Sequence, residues 1–138
     1  MEYKANDATP QRPEGNRLLN APLVEMDLIA LIEQLKGEVS WKDSDRNSIT
    51  LFKSDSLRIV LMGLHQNAAL KPHRSNGVLS VQVLEGLIEV LTDKQNSKLK
   101  KGQMVALQNN IPYSIIALTS SFFLLTLAIE EKEEFTFD

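Results

Sequence analysis

The chain contains no cysteine and only two histidines among its 138 residues. The lack of cysteine excludes a disulfide framework, a cysteine-ligated zinc or iron–sulfur site and thiol catalysis. Aromatic residues make up only 6% of the chain, so few side chains are available to stack on nucleic-acid bases. No stretch approaches the roughly 18 consecutive apolar residues of a membrane-spanning helix, and the N-terminus lacks the pattern of a secretory signal. We therefore expect a cytoplasmic protein with no membrane partner.

The net charge of −3 is concentrated at one end of the chain. Residues 130–138 carry −4, so the other 129 residues sum to +1. A nucleic-acid-binding face needs an excess of lysine and arginine, whereas this chain has 15 basic and 18 acidic residues. We therefore expect no nucleic-acid partner. A domain of this length buries roughly two thirds of the surface of its unfolded chain, which is enough for a core without disulfides or a structural metal.

The hydrophobic pattern divides the chain into four parts. Two prolines and mixed charges near the N-terminus are typical of an irregular arm. Helical spacing of apolar residues predicts a helix over 28–36, with Asp27 as its N-cap and Gly37 as its C-terminal stop. In chain order, the predicted parts are an irregular arm at 1–20, a helix and linker at 21–47, a β-barrel at 48–130 and an acidic tail at 131–138.

Beyond residue 48 the pattern changes to short alternating or apolar runs separated by turn residues. No long helical pattern interrupts these runs, which disfavours a parallel α/β sheet. The predicted strands number at least seven: Ile49–Lys53, Leu57–Leu64, Leu79–Leu84, Leu87–Thr92, Met104–Leu107, Tyr113–Ala117 and Phe122–Ile129. The sequence therefore predicts an all-β fold, an antiparallel sandwich or barrel.

Part of the predicted barrel, over about 67–117, resembles the cupin superfamily. The resemblance is carried by VLEG at 83–86 followed by LIEV, by LKKGQMVAL and by NNIPYS. The first cupin motif reads Gly, five residues, His-x-His, three or four residues, Glu, six residues, Gly. The second reads Gly, five residues, Pro-x-Gly, two residues, His, three residues, Asn. The resemblance implies a cupin-type antiparallel β-barrel, a double-stranded β-helix or jelly roll, here with a short N-terminal helix.

The first motif is matched in spacing but has lost most of its metal ligands. Anchoring its last glycine on Gly86 places Asn67 at the first glycine. The two histidine positions are then occupied by His73 and Ser75, and the glutamate position by Leu79. One potential ligand of three is therefore present in this motif.

The second motif has kept its turn chemistry and lost its histidine. Anchoring it on Gly102 places Asn110 at the second glycine and Tyr113 at the histidine. Asparagine adopts positive φ more readily than other non-glycine residues. We therefore expect Asn67 and Asn110 to preserve the turns that the family builds with glycine.

The metal of the family is not expected here. In metal-binding cupins the two histidines and glutamate of the first motif and the histidine of the second hold a divalent ion, and a catalytic ion needs about three protein ligands. The resemblance therefore implies no metal and no other cofactor in this chain. It implies instead a small pocket in the barrel. The candidate ligand-binding residues of this pocket are His73, Ser75, Leu79, Val81, Val83 and Tyr113.

Several functional interpretations remain open. The first is a small-molecule-binding module or structural homodimer that is not an enzyme. A homodimer is expected because cupins commonly dimerise and because the run FFLLTLAI predicts a hydrophobic sheet edge. The second is a metal-independent isomerase or epimerase in which His73 is the base and Tyr113 the acid. A ligand-sensing domain that acts through a partner is a third. We assign no catalytic residue on the first interpretation.

Three further polar residues lie in or beside predicted strands. His65 is expected to end its strand as a surface or rim residue. Alternation along SVQVL places Gln82 on the face opposite the barrel interior. Arg58 is expected to form a salt bridge or to lie on a solvated face.

Overall fold

Two short helices precede nine strands in the computed structural model, which describes residues 19–130. In chain order they are α1 (Leu28–Gly37), α2 (Val39–Asp43), β1 (Arg46–Lys53), β2 (Leu57–Leu64), β3 (Ala69–His73), β4 (Gly77–Glu85), β5 (Leu87–Thr92), β6 (Asn96–Lys100), β7 (Met104–Leu107), β8 (Tyr113–Ala117) and β9 (Ser121–Ile129). The acidic tail and all but the last two residues of the predicted arm lie outside the described residues. No helix within residues 19–130 has both the length and the apolar character needed to cross a membrane.

The strands form two antiparallel sheets, as the sequence predicts. The five-stranded sheet has the order β1-β2-β9-β4-β7, and the four-stranded sheet has the order β3-β8-β5-β6. Neighbouring strands in each sheet are antiparallel throughout. The predicted antiparallel β-barrel of two facing sheets is therefore confirmed.

Two strands and one helix depart from the predicted pattern. Strand β3 contains Pro72, which has no amide hydrogen to donate, and β3 lies at a sheet edge where that loss is tolerated. Strand β6, with the sequence NSKLK, buries Leu99 alone, so its pattern resembles a polar turn. Helix α2 is only five residues long and buries none of them. All three elements lack the apolar repeat from which strands and helices are predicted.

Helix α1 covers part of the outer face of the five-stranded sheet. The Asp27 carboxylate accepts a hydrogen bond from the amide of Ala30 at 3.1 Å, which confirms the predicted N-cap. Beyond the cap, Ile32 and Leu35 pack in one apolar cluster with residues of β1, β2 and β9. The last residue of the helix is Gly37, and the chain continues directly into α2.

A second apolar cluster fills the interior between the sheets. Along β4, Leu79, Val81 and Val83 are buried in this cluster, so alternation places Gln82 on the outer face as predicted. On β9 the successive residues Phe122 and Phe123 belong to the outer and inner clusters respectively. The five-stranded sheet is therefore apolar on both faces over part of its area.

The apolar run FFLLTLAI is not a sheet edge. It forms β9, which pairs with β2 on one side and β4 on the other. Its hydrophobicity reflects burial on both faces of a central strand, a pattern that cannot be distinguished by sequence from an exposed apolar edge. Strands β1 and β7 are the edges of this sheet, so the expected hydrophobic edge at β9 is wrong.

Candidate functional site

The turns of both degenerate motifs have the backbone conformation that the alignment requires. Asn67 has a φ of 73° and Asn110 a φ of 65°, and no other non-glycine residue within 19–130 has a positive φ. Gly86 and Gly102, the glycines used as anchors, have φ values of 96° and 88°. The amide of Asn110 donates to the carbonyl of Ser75 at 3.1 Å, which links the two motif loops. The backbone at these positions therefore has the conformation that the sequence predicts.

One row of residues crosses the inner face of the five-stranded sheet near its open end. Each residue of the row pairs directly with the next across neighbouring strands, and directly paired residues share a face. From β1 to β7 the row is Lys53, Arg58, Leu127, Leu79 and Leu107. Leu79 occupies the position that the alignment gives to the glutamate of the first motif, so the row includes one of the predicted ligand positions.

Three residues of the four-stranded sheet face this row from the other side of the barrel interior. His73 on β3 and Thr92 on β5 both pair with Tyr113 on β8. The His73 and Tyr113 rings meet edge to face with centroids 5.9 Å apart. Together with the row on the five-stranded sheet, these three residues form what we term the mouth layer. The mouth layer combines an apolar floor with a small set of polar groups.

Tyr113 is a largely buried residue of the mouth layer. The residue is 7% exposed, and burial raises the pKa of its phenol above the usual value. The hydroxyl is therefore neutral at physiological pH and available as a hydrogen-bond donor. His73, in contrast, is exposed at the rim.

The predicted pocket residues are brought together only in part. Leu79, Val81 and Val83 share the inner cluster with Tyr113. Ser75 is buried in the β3–β4 loop, where its hydroxyl donates to the carbonyl of Gly77 at 3.1 Å. The candidate residues therefore form one packed apolar group, one rim histidine and one loop serine that is already hydrogen-bonded.

The motif positions do not fit a divalent ion. Leu79, at the carboxylate position, is 3% exposed and surrounded by apolar side chains. The Ser75 hydroxyl is directed to a backbone carbonyl. Within residues 19–130, no three histidine, aspartate or glutamate side chains lie close enough together to hold a metal ion.

Arg58 lies in a different environment from the one that the sequence predicts. It lies neither in a salt bridge with another residue of 19–130 nor on a fully solvated face. Its pairing with Leu127 places it on the inner face, and its Nε is buried without a hydrogen-bond partner. Alternation along β2 with inward-packing Met62 and Leu64 was the signal that could have identified this orientation.

His65 has a structural role at the opposite end of β2. Its ring stacks on Trp41 with centroids 3.6 Å apart, and its Nε2 is 2.7 Å from the Trp41 carbonyl oxygen. Trp41 in turn contacts Phe122. His65 therefore attaches α2 to the barrel and does not reach the mouth layer, where His73 lies.

A cavity of about 250 Å³ opens beside the mouth layer, between the β5–β6 hairpin and β7. Thr92 and Leu107 belong to both the cavity wall and the mouth layer. Apolar residues such as Val90 and Ile111 form much of the remaining wall, and Gln108 supplies a polar group. The cavity therefore provides space for a small ligand next to the packed floor.

Two larger depressions lie outside the barrel interior. A groove of about 800 Å³ runs between α1 and β4 and includes Met26, Ile29 and Leu84. A cleft of about 490 Å³ between the β3–β4 and β7–β8 loops includes Arg74 and Asn109. The groove combines apolar side chains with charged ones such as Asp27, Glu33 and Lys101, and the cleft has polar groups without an apolar floor. The mouth layer differs from both because it lies on the inner faces of the two sheets.

No protein-family model matches the chain, and no curated protein matches it in sequence. Solved structures do match. A conserved protein of unknown function from Streptococcus pyogenes is 26% identical with a TM-score of 0.60, over 63% of this chain and 76% of that one. A cupin superfamily protein from Desulfitobacterium hafniense is 18% identical with a TM-score of 0.60, over 62% and 78%.

An enzyme structure also matches this chain. A mutant of salicylate 1,2-dioxygenase from Pseudoaminobacter salicylatoxidans is 17% identical with a TM-score of 0.68, over 82% of this chain and 37% of that one. The chain therefore spans little more than a third of that enzyme. Identities this low indicate a shared fold and leave the activity of each protein to its own site.

Proposed function

We propose that this chain, which has the fold of the cupin superfamily, is a small-molecule-binding protein that uses the mouth layer and needs no metal ion. The observation that carries the proposal is the replacement of the family's carboxylate by buried Leu79 beside the polar groups of Arg58, His73 and Tyr113. Ligand sites typically combine an apolar lining with a few polar groups that orient the ligand. The adjacent cavity supports a ligand of modest size.

Native mass spectrometry of the purified protein tests this proposal. We expect a retained small molecule at a defined stoichiometry. Tyr113→Phe removes one hydroxyl from the mouth layer, and the loss of one hydrogen bond lowers affinity by about 2- to 12-fold. Ser114→Ala removes a hydroxyl from the next residue of β8, whose side chain points to the other face, and serves as the matched control. Equal retention by both variants would contradict the proposal.

A metal-independent isomerase or epimerase is the second candidate. It is favoured by the contact between the His73 and Tyr113 rings, because a base and a neutral phenol then lie side by side on neighbouring strands. Such an enzyme exchanges a carbon-bound proton of its ligand with solvent. We expect deuterium to enter the retained molecule in D₂O, and His73→Asn and Tyr113→Phe each to slow the exchange. Identical exchange rates in both variants and the wild type would exclude this mechanism.

We further propose that the protein is a homodimer that uses the outer face of the five-stranded sheet. Helix α1 covers part of this face, whereas Val78 and Met104 are 45% and 53% exposed on the remainder. An exposed apolar patch on a sheet face is typical of a contact with another copy, and Val78 and Met104 lie on the same outer face. Sedimentation equilibrium should give twice the 15.5 kDa chain mass, and Met104→Glu should halve it. Leu23→Glu, at an exposed apolar residue that lies outside the strands, is the control. A 15.5 kDa wild type at micromolar concentration would refute the dimer.

A further inference from the structure

Two cations lie side by side at one end of the mouth layer. Lys53 and Arg58 pair directly across β1 and β2, and neither forms a salt bridge within residues 19–130. Like charges directly opposite each other on a sheet are destabilising. This arrangement is relieved when an anion lies between or beside the two side chains.

Arg58 lies on the inner face of the sheet, and part of its guanidinium is buried there. Its Nε is buried and has no acceptor, although a guanidinium carries five N–H donors that normally find partners when buried. The Nε and one terminal nitrogen together form the edge that binds a carboxylate with two parallel hydrogen bonds. The unused Nε therefore points to an acceptor that is not part of the described chain.

The residues around Arg58 favour the binding of one kind of anion over another. Leu127 and Leu79 are the next two residues along the row, and Tyr113 faces them from the other sheet. A doubly charged phosphate loses more hydration energy in such apolar surroundings than a singly charged carboxylate does. A carboxylate attached to an apolar body also buries that body against the leucines.

We propose that the mouth layer binds a small organic carboxylate, with Arg58 holding the carboxylate group and the leucines and Tyr113 contacting the apolar body. The inference rests on the proposed small-molecule function and names its ligand class. Lys53 supplies a second positive charge at the same end of the layer. Arg58 is then the residue that determines specificity for an acid over its neutral analogue.

Calorimetric titration with benzoate and butyrate, each against its neutral amide, tests the inference in a carboxylate-free buffer. We expect the acids to bind and the amides not to bind. Arg58→Gln should weaken the acids by at least about tenfold, because hydrogen bonds to a charged group are lost. Arg58→Lys keeps the charge but not the two-nitrogen edge, so its affinity should be intermediate. Arg74→Gln removes an exposed arginine from the neighbouring loop and should stay within about twofold of the wild type.

Several results would overturn the inference. These are equal binding of acids and amides, equal acid binding by the wild type and Arg58→Gln, and inorganic phosphate binding as tightly as benzoate. If acids bound only after deletion of residues 131–138, the partner of Arg58 would be the chain's own acidic tail. That result would refute binding of a free carboxylate ligand. A neutral molecule found by native mass spectrometry would refute the carboxylate while leaving the proposed function intact.

Discussion

Replacing Leu79 by glutamate measures how apolar the centre of the mouth layer is. The side chain is 3% exposed and lies in the inner cluster. Leu79→Gln is the matched control, because glutamine has nearly the same shape and no charge. Loss of the leucine's burial costs about 1.5–3 kcal/mol, and an unpaired buried amide adds about 1–3 kcal/mol. Both variants carry this common cost at every pH.

The glutamate variant adds a cost that depends on pH. The introduced carboxyl has a pKa of about 4.3 in the unfolded chain, and burial raises its pKa in the folded chain. Because the folded pKa is the higher one, stability is fully retained below about pH 4.3 and is lost as the pH rises toward the folded value. At about 1.4 kcal/mol per pH unit, the loss reaches about 3–4 kcal/mol at pH 7 if the folded pKa is 7 or above.

Urea denaturation at pH 4 and pH 7, followed by Trp41 fluorescence, provides the measurement. Trp41 is a suitable reporter because it stacks on His65 and contacts Phe122 in the folded protein. We expect the two variants to be equally stable at pH 4 and Leu79→Glu to be the less stable at pH 7. A difference below about 0.5 kcal/mol at both pH values would refute an apolar site at this position.

Three further predictions follow from the same geometry. Asn110→Gly should leave stability nearly unchanged, whereas Asn110→Ala should lower it by about 1–2 kcal/mol because its φ is positive; equal values in urea denaturation would refute the turn argument. The triple variant Ser75→His, Leu79→Glu and Tyr113→His should bind a divalent ion. The ion should stabilise the fold by about 2.7 kcal/mol at a metal concentration a hundredfold above Kd. A folded triple variant whose melting temperature does not change in added zinc would refute the motif alignment. Arg58→Met should raise the stability of the ligand-free protein by about 1 kcal/mol, since an unpaired buried donor is removed, and a lower melting temperature would contradict this.

The barrel was predictable because its signals are local. Alternation along β4, turn residues between the runs and the spacing of Gly86 and Gly102 each act over a few residues. The positive φ of Asn67 and Asn110 was predictable for the same reason, since the turn needs a residue type that tolerates that conformation. Strands β3 and β6 were not predicted from the sequence, because β3 contains a proline and β6 buries a single residue.

The composition of the site was less predictable, because it depends on pairing between distant strands. His73 and Tyr113 are 40 residues apart in sequence and meet only through the β3–β8 register. Arg58 is connected to Leu79 through two successive pairings, from β2 to β9 and from β9 to β4, and His73 and Tyr113 lie on the other sheet. A single strand fixes which residues share a face, but it does not reveal which strand will lie alongside it.

The electron density of the retained small molecule in a crystal structure would test most directly whether the mouth layer binds a carboxylate. We expect density in the mouth layer, with an acidic group within hydrogen-bonding distance of the Arg58 Nε and the remainder against Leu79 and Tyr113. Density in the groove between α1 and β4, beside Met26 and Leu84, with Arg58 still unpaired, would contradict it.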